Sequence, residues 1–247
     1  MKIVTHEFSL PHGSGRMPCH LAIPANGGPH PAIIVLMEAW GLNDQIKRIA
    51  DRVAAEGFVM MVPNLYWRHP GNVVGYDDLA GGFRLMGTIK YDEVVADVTT
   101  AIDHLKGLTQ VKPKFGTVGF CMGGTLAFLS ACRIPEIAAT APFYGAGMVA
   151  RPDWASQPRA GNEPPIKYVA HLNAPVLGFF GAKDSFIPVA EVNKLRDELG
   201  RAGKAAEIVL YDDADHAFMN EDRPSYHPEH ASEAFAKTIA FFKLHLD

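Results

Sequence analysis

Gly119-Phe120-Cys121-Met122-Gly123-Gly124 is the stretch of sequence that decides the fold. It follows a short apolar run, 115–120, with the composition of a buried strand, and it leads into residues 122–129, which favour a helix. So tight a reversal pushes one side chain outward and needs small residues two positions before and two positions after it. Glycines occupy both positions. The stretch therefore predicts a strand, a sharp turn and a helix, with the thiol of Cys121 at the apex.

A thiol at the start of a helix has a chemical advantage. Free backbone N–H groups and the positive end of the helix dipole stabilise a thiolate, and the same groups can hold an oxyanion. These properties favour a nucleophilic role for Cys121. The alternative interpretation is a buried cysteine whose neighbouring glycines serve helix–strand packing, since cysteine is among the residues most often buried.

Length and composition indicate one domain, 1–247. The chain has 247 residues, 48% of them hydrophobic and 20% charged, which is enough to bury one large core. The formal net charge of −4 and the absence of a Lys/Arg cluster argue against a nucleic-acid partner. We expect a small-molecule substrate instead, neutral or mildly anionic.

The cysteines and the apolar segments indicate the cellular compartment in which we expect the protein. Residues 1–7 lack the apolar core of a secretory signal, and no apolar stretch approaches the roughly 20 residues of a membrane span. Cys19, Cys121 and Cys132 cannot all pair, and they lack zinc-type spacing. These observations predict a cytoplasmic protein with reduced thiols, no metal site and no membrane partner.

Apolar runs alternate with amphipathic helical segments from residue 31 onward, and this predicts a mostly parallel sheet covered by helices on both faces. The predicted strands are 32–37, 58–62, 115–120, 138–144, 176–181 and 206–211, and the predicted helices are 43–56, 92–105, 122–132, 189–200 and 229–246. Segments 64–90 and 146–171, rich in Gly, Pro and polar residues, interrupt the pattern. We expect both to pass over the carboxyl ends of the strands, where ligands bind in open α/β sheets.

A base and an orienting acid follow the thiol along the chain. Asp184 comes just after the strand 176–181, and His216 comes just after the strand 206–211. Nucleophile, acid and histidine in that order are typical of the α/β-hydrolase fold. The sequence thus predicts a triad in which His216 takes the proton of Cys121 and Asp184 orients the imidazole.

Glu38 is a carboxylate at the predicted carboxyl end of the strand 32–37, an unexpected place for a charge. It could accept the thiol proton or its hydrogen bond, or it could be an acid that favours a nearby helix start. The loop that follows normally supplies one oxyanion N–H, and the residue after the nucleophile supplies the other. Ala39 and Met122 are the predicted donors.

With these residues placed, the chain resembles the dienelactone hydrolases, also called carboxymethylenebutenolidases. The segments that carry the resemblance, in order, are Glu38-Ala39-Trp40-Gly41-Leu42-Asn43, Val62-Pro63-Asn64-Leu65-Tyr66, Gly119 to Gly124, Phe143-Tyr144-Gly145, Gly181-Ala182-Lys183-Asp184 and His216-Ala217-Phe218. The resemblance implies that Cys121 attacks a lactone or ester carbonyl and forms a thioester, that Glu38 is the thiol's partner, and that no cofactor or metal is required. Aromatic side chains near the inferred opening are expected to line an apolar pocket, namely those of Trp40, Tyr66, Tyr144 and Phe218. The alternative for at least half of the aromatic residues in this region is packing as core or lid supports.

The sequence differs from the family at the positions of the two arginines that hold the substrate carboxylate in that family. The family has an arginine four residues after the catalytic histidine, and that position here is Asn220. A second family arginine has no clear counterpart, because Arg84 is out of register. Arg223 either substitutes or is a solvated surface charge.

Other interpretations remain open. An oxidisable cysteine would suit a redox-sensing or chaperone-like protein, although such a protein needs no ordered Asp and His. A hydrolase fold kept as a binding module would be expected to lack a triad member. His227-Pro228-Glu229-His230 predicts a helix start instead of a metal site. We expect a monomer or a weak homo-oligomer.

Overall fold

An eight-stranded sheet organises the chain, in the strand order β1-β2-β4-β3-β5-β6-β7-β8. The computed structural model describes residues 1–150 and 161–247. The strands are β1 Ile3–His12, β2 Gly15–Pro24, β3 His30–Leu36, β4 Val59–Pro63, β5 Val111–Phe120, β6 Ile137–Phe143, β7 Val176–Gly181 and β8 Ala206–Tyr211. β1 with β2 and β2 with β4 pair antiparallel, and the remaining pairs are parallel. The predicted mostly parallel sheet is confirmed.

Helices flank this sheet. They are α1 Asp44–Ala54, α2 Leu79–Met86, α3 Tyr91–Lys106, α4 Met122–Arg133, α5 Val189–Arg201 and α6 Pro228–Leu246, and a 3-10 helix covers Pro165–His171. Two neighbouring residues of β5 show that both faces are covered. A side chain at Gly116 would meet Phe242 of α6, whereas the Thr117 hydroxyl donates to the Ala127 carbonyl of α4. Successive side chains of a strand point to opposite faces, so α4 and α6 lie on opposite sides of the sheet.

Four of the described elements were not predicted from the sequence: β1, β2, α2 and the 3-10 helix Pro165–His171. The β1–β2 hairpin extends the sheet at one edge, and β1 is mostly exposed, so it lacks the continuous apolar run by which the other strands were recognised. Helix α2 lies inside the predicted excursion 64–90. It contains Gly81 and Gly82, both buried, and glycine in a short helix hides the helical pattern.

The carboxyl ends of the parallel strands meet at one edge of the sheet. Glu38 follows β3, Cys121 follows β5 directly, and Asp184 and His216 follow β7 and β8. β3 and β5 are neighbours, as are β7 and β8, and β6 lies between these two pairs. The topology thus gathers four residues distant in the chain at one edge. Across the described ranges, no helix combines the length and the apolar composition needed to span a membrane.

Candidate active site

Cys121 occupies a strained backbone conformation between β5 and α4. Its φ of 55° and ψ of −120° lie where side chains are rarely tolerated, and the thiol is partly exposed. A Cβ at Gly119 would lie 2.0 Å from the Gly123 carbonyl oxygen, and a Cβ at Gly123 would lie 2.0 Å from the Leu36 carbonyl oxygen. Backbone therefore packs on backbone on both sides of the turn, which is why the sequence needs glycine there.

Strain is concentrated around this edge of the sheet. Among the described residues, the non-glycine positions with positive φ are Cys121, Tyr144 at 37° and Ala217 at 62°. Tyr144 directly follows β6, and Ala217 directly follows His216. Such conformations persist where the surrounding structure imposes them, and they cluster at functional sites.

His216 and Asp184 form a hydrogen-bonded pair. The imidazole Nδ1 lies 2.7 Å from Asp184 Oδ2, and the two side chains are 12% and 1% exposed. The other carboxylate oxygen of Asp184 accepts hydrogen bonds from the backbone N–H groups of Phe186 and Ile187, at 2.8 and 3.1 Å. The carboxylate is thereby fixed, and through Nδ1 it fixes the ring so that Nε2 is the nitrogen free for chemistry.

The pKa of His216 lies well above its ordinary value. Burial acts to lower it, but the electrostatic interaction with Cys121, the hydrogen bond to Asp184 and a hydrogen bond to Cys121 together outweigh burial. The structure thus brings the three residues of the predicted triad into one interacting group.

Glu38 is buried, with 3% of its surface exposed. Asn220 Nδ2 donates to its Oε2 at 2.8 Å, and the Tyr144 hydroxyl donates to its Oε1 at 3.4 Å. Burial raises the pKa of Glu38, and these donors, with the charges of His216 and Arg223, offset it only in part. The sequence did not predict that Asn220 would hold this carboxyl group.

The predicted oxyanion donors flank the thiol. Ala39 follows Glu38 in the loop after β3, and Met122 is the first residue of α4. Neither N–H donates to another backbone group in the part of the chain that the structure describes. The Tyr66 hydroxyl lies 3.3 Å from the Ala39 carbonyl oxygen and 3.3 Å from Met122 Sδ. Tyr66 therefore braces both segments that would form an oxyanion hole.

The thiol faces a cleft with two lobes, each named here after one residue. The His216 lobe has a volume of about 110 Å³ and is lined by Glu38, Trp40, Leu79, Phe83, His216 and Arg223, among others. The Ile89 lobe has a volume of about 230 Å³ and is lined by Phe83, Met86, Ile89, Met122, Leu126 and Asn162, among others. Cys121 borders both lobes. Helix α2, which the sequence did not predict, supplies much of the wall between them.

The structure divides the four predicted pocket residues. Trp40 lines the His216 lobe. Tyr66, Tyr144 and Phe218 are completely buried, and none of them lines either lobe, which corrects their predicted placement. They support the site from beneath: the rings of Tyr144 and Phe218 pack 5.3 Å apart, and Tyr144 packs 5.2 Å from the imidazole of His216.

The arginines considered from the sequence differ in position. Arg84 lies on α2 with its side chain exposed, and it lines neither lobe. Arg223 lines the His216 lobe, and its guanidinium carbon lies 5.4 Å and 5.6 Å from the ring centroids of Trp40 and Tyr76. Arg223 is therefore part of the cleft wall and not a solvated surface charge. Asn220, at the family's arginine position, holds Glu38 instead.

His227 and His230 lie beside Asp213, with their candidate ligand atoms within 4.8 Å of one another. The two rings are stacked 3.9 Å apart at 23°, whereas an ion must lie in the plane of each histidine ring that binds it. His227 also accepts a hydrogen bond from the backbone N–H of His230 as the cap of α6. The arrangement is the predicted helix start, stabilised by ring stacking and by Asp213.

Comparison with known proteins identifies the family of this chain. The model of the dienelactone hydrolase family matches residues 17–246. The chain belongs to the dienelactone hydrolase family. A protein from Synechocystis sp., described as a candidate carboxymethylenebutenolidase, is 34% identical over 99% of this chain and 98% of its own length. A counterpart in Escherichia coli with the same description is 32% identical over 98% of this chain and 87% of its own length.

A solved structure extends the comparison to the fold. The crystal structure of a candidate dienelactone hydrolase from Klebsiella pneumoniae superposes with a TM-score of 0.91 at 32% identity, over 99% of this chain and 100% of that one. The α/β-hydrolase fold and the family resemblance predicted from the sequence are both confirmed, and with them the hydrolase class that the resemblance implied.

Proposed function

We propose that this protein hydrolyses a carboxylic ester or lactone through a thioester on Cys121, with His216 as the general base and acid and Asp184 as its orienting partner. The observation that carries the proposal is the interacting group formed by Cys121, His216 and Asp184 at the edge of one cleft. Family membership supports the reaction class.

The reaction would begin with transfer of the thiol proton to His216. Cys121 Sγ attacks the carbonyl carbon, and the resulting oxyanion accepts hydrogen bonds from the N–H groups of Ala39 and Met122. The carbon–oxygen bond then breaks, His216 protonates the departing alcohol oxygen, and the acyl group remains on sulfur. Water attacks the thioester and gives one proton to His216. The carbon–sulfur bond then breaks, the acid is released, and His216 returns its proton to the sulfur to restore the thiol.

Glu38 has a supporting place in this scheme. It lines the same lobe as Cys121 and His216, and burial raises its pKa. A carboxyl group of this kind can hold the thiol's proton or its hydrogen bond in the resting enzyme. No residue assigned here needs a metal or an organic cofactor for its step.

The test is steady-state hydrolysis of p-nitrophenyl acetate and of cis- and trans-dienelactone by the wild type and by Cys121→Ala and Cys121→Ser. We expect the alanine variant to lose turnover and the serine variant to keep the fold but lose most activity, because a hydroxyl is much harder to deprotonate than a thiol. Intact-mass measurement under substrate should show an acyl adduct on the wild type. Unchanged turnover in Cys121→Ala would refute the mechanism. Reversible oxidation of Cys121 by dilute peroxide, without esterase activity, would favour a redox sensor.

A further inference from the structure

The two lobes on either side of Cys121 differ in their chemistry. Glu38, His216 and Arg223 border the His216 lobe, whereas no charged side chain of the described ranges borders the Ile89 lobe. An ester has two parts, and the thiol attacks the carbon between them. A cleft with one lobe on each side of the nucleophile can therefore hold the acyl group and the alcohol group separately.

The position of His216 decides which lobe receives the alcohol. In the proposed reaction His216 must reach the oxygen that leaves with the alcohol, because it gives that oxygen a proton. His216 lines one lobe and not the other. The alcohol group is thus assigned to the His216 lobe, and the acyl chain extends in the other direction, into the Ile89 lobe.

Polar groups on the wall of the Ile89 lobe are already used within the protein. Asn162 donates to the Ile89 carbonyl oxygen at 2.8 Å and accepts from the Tyr91 backbone N–H at 2.8 Å. The Thr125 hydroxyl donates to the Ala146 carbonyl oxygen at 2.8 Å. Since Ile89, Met86 and Leu126 supply much of the remaining wall, the lobe suits a hydrocarbon chain, and residues 1–150 and 161–247 place no counter-charge for an acid on it.

We propose that the Ile89 lobe is an acyl-chain subsite, so that the substrates are open-chain esters of uncharged, apolar carboxylic acids. The inference rests on the proposed ester-hydrolase function. The lobe has a volume of about 230 Å³, against about 110 Å³ for the His216 lobe, which is more room than an acetyl group fills. We therefore expect a medium-length chain, such as a hexanoyl group, to match the lobe better than an acetyl group does.

Two substitutions at Ile89 test the subsite, with a control in the other lobe. Ile89→Phe narrows the acyl lobe and Ile89→Ala enlarges it, while Leu79→Phe adds the same ring to the His216 lobe at a position that is 55% exposed. The measurement is kcat/KM for p-nitrophenyl acetate, hexanoate and decanoate. These substrates share one leaving group, so the ratio of rates reports only the acyl chain.

We expect the wild type to prefer hexanoate over acetate, because each buried methylene is worth roughly a fourfold gain in kcat/KM. Ile89→Phe should lower the hexanoate-to-acetate ratio at least tenfold, and Ile89→Ala should move the preference toward decanoate. Leu79→Phe should leave the ratio within about twofold of wild type. Equal ratios in the wild type and both Ile89 variants, or an equal shift in Leu79→Phe, would overturn the subsite.

A labelling experiment separates this inference from the proposed function. Alkyl methanethiosulfonates transfer their alkylthio group to a thiolate and release methanesulfinate, so hexyl and methyl reagents report chain binding at Cys121 without any hydrolysis. Cys19 and Cys132 are buried, which favours labelling at Cys121. Intact-mass kinetics should show a hexyl preference that is reduced in Ile89→Phe and retained in Leu79→Phe. That pattern in a protein without esterase activity would support the subsite and refute the proposed function. If hydrolysis depends on Cys121 but neither assay shows the effect of Ile89→Phe on chain-length preference, the proposed function is supported and the acyl-chain subsite is refuted.

Discussion

Cys121 lies beside two groups that hold protons more strongly than usual. The pKa of His216 is raised by its interactions with Cys121 and Asp184, and burial raises the pKa of Glu38. At the scale of single residues, both groups beside the sulfur therefore keep their protons to higher pH than a free imidazole and a free carboxyl group do.

Replacement of Asp184 tests the charge balance around His216. Asp184 raises the pKa of the imidazole, so Asp184→Asn should move the high-pH limb of the kcat/KM profile to lower pH. The sign follows because the imidazolium that protonates the leaving group is lost as pH rises through the folded-state pKa. We also expect kcat to fall by about 10²–10⁴-fold. Asp212→Asn, at an exposed site in the same loop as His216, is the control and should leave the limb in place.

Stability should depend on the ionisation of Glu38. Its pKa is higher in the folded chain than in the unfolded chain, so its contribution to stability is present below the unfolded pKa, and it is lost as pH rises through the folded pKa. Urea unfolding from pH 4 to pH 8 should show this loss in the wild type and not in Glu38→Gln. If the difference in unfolding free energy between the two proteins is constant across that range, Glu38 does not titrate as inferred.

The turn between β5 and α4 depends on glycine because backbone contacts backbone there. Gly123→Ala would put a methyl group 2.0 Å from the Leu36 carbonyl oxygen. We expect a loss of about 1–3 kcal/mol in the free energy of unfolding, measured by urea titration. Gly200→Ala is the matched control, since nothing lies within 4 Å of its Cβ on α5. It should stabilise by up to about 1 kcal/mol. Equal effects of the two substitutions would contradict this account of the turn.

Tyr66 joins the loop after β3 to the start of α4. Its hydroxyl contacts the Ala39 carbonyl oxygen and Met122 Sδ, so it bears on both proposed oxyanion donors. Tyr66→Phe should lower kcat about 2–10-fold with little change in KM, as expected for the loss of one hydrogen bond that holds this geometry. Tyr168→Phe, at a ring that contacts Arg133 on α4, is the control and should leave kcat unchanged. A change confined to KM would argue for substrate contact instead.

Asp97 connects parts of the whole molecule that are distant in sequence. It is completely buried on α3, and it accepts hydrogen bonds from Arg68 at 2.8 Å and from the Trp67 indole at 3.3 Å. His12, at the end of β1, lies 3.0 Å from the same carboxylate. Asp97 thus holds both the amino-terminal hairpin and the segment after β4 on α3. The apolar pattern of the sequence gave no information on these contacts.

Removal of this carboxylate should destabilise the whole molecule. Asp97→Ala removes the carboxylate that Arg68, the Trp67 indole and His12 share, while Glu93 stays 3.7 Å from Arg68, and we expect a loss of about 1–3 kcal/mol in the free energy of unfolding. Asp103→Ala, on the same helix with its side chain 63% exposed, is the control and should cost less than about 1 kcal/mol. Urea denaturation followed by circular dichroism measures both. A loss below about 1 kcal/mol for Asp97→Ala would show that the contacts shared at this carboxylate do not stabilise the fold.

Local physical chemistry determined what the sequence predicted correctly. The elbow around Cys121 follows from glycine spacing, and the strands before Asp184 and His216 follow from short, continuously apolar runs. Parallel strands place their carboxyl ends at one edge, so the chain order of these residues was enough to predict that they meet there. The dienelactone hydrolase family was evident from the same residues.

Only the tertiary structure decided the rest, because those features depend on contacts between segments that no local pattern records. β1 was missed because it is mostly exposed, and α2 because glycines hide its pattern, yet α2 supplies much of the wall between the lobes. Asn220 holds Glu38 across 182 positions of sequence. Tyr66 is aromatic, as many pocket residues are, but it lies beneath the cleft, where its hydroxyl contacts both Ala39 and Met122. The sequence determined which residues meet at this edge of the sheet, and packing determined the shape of the space around them.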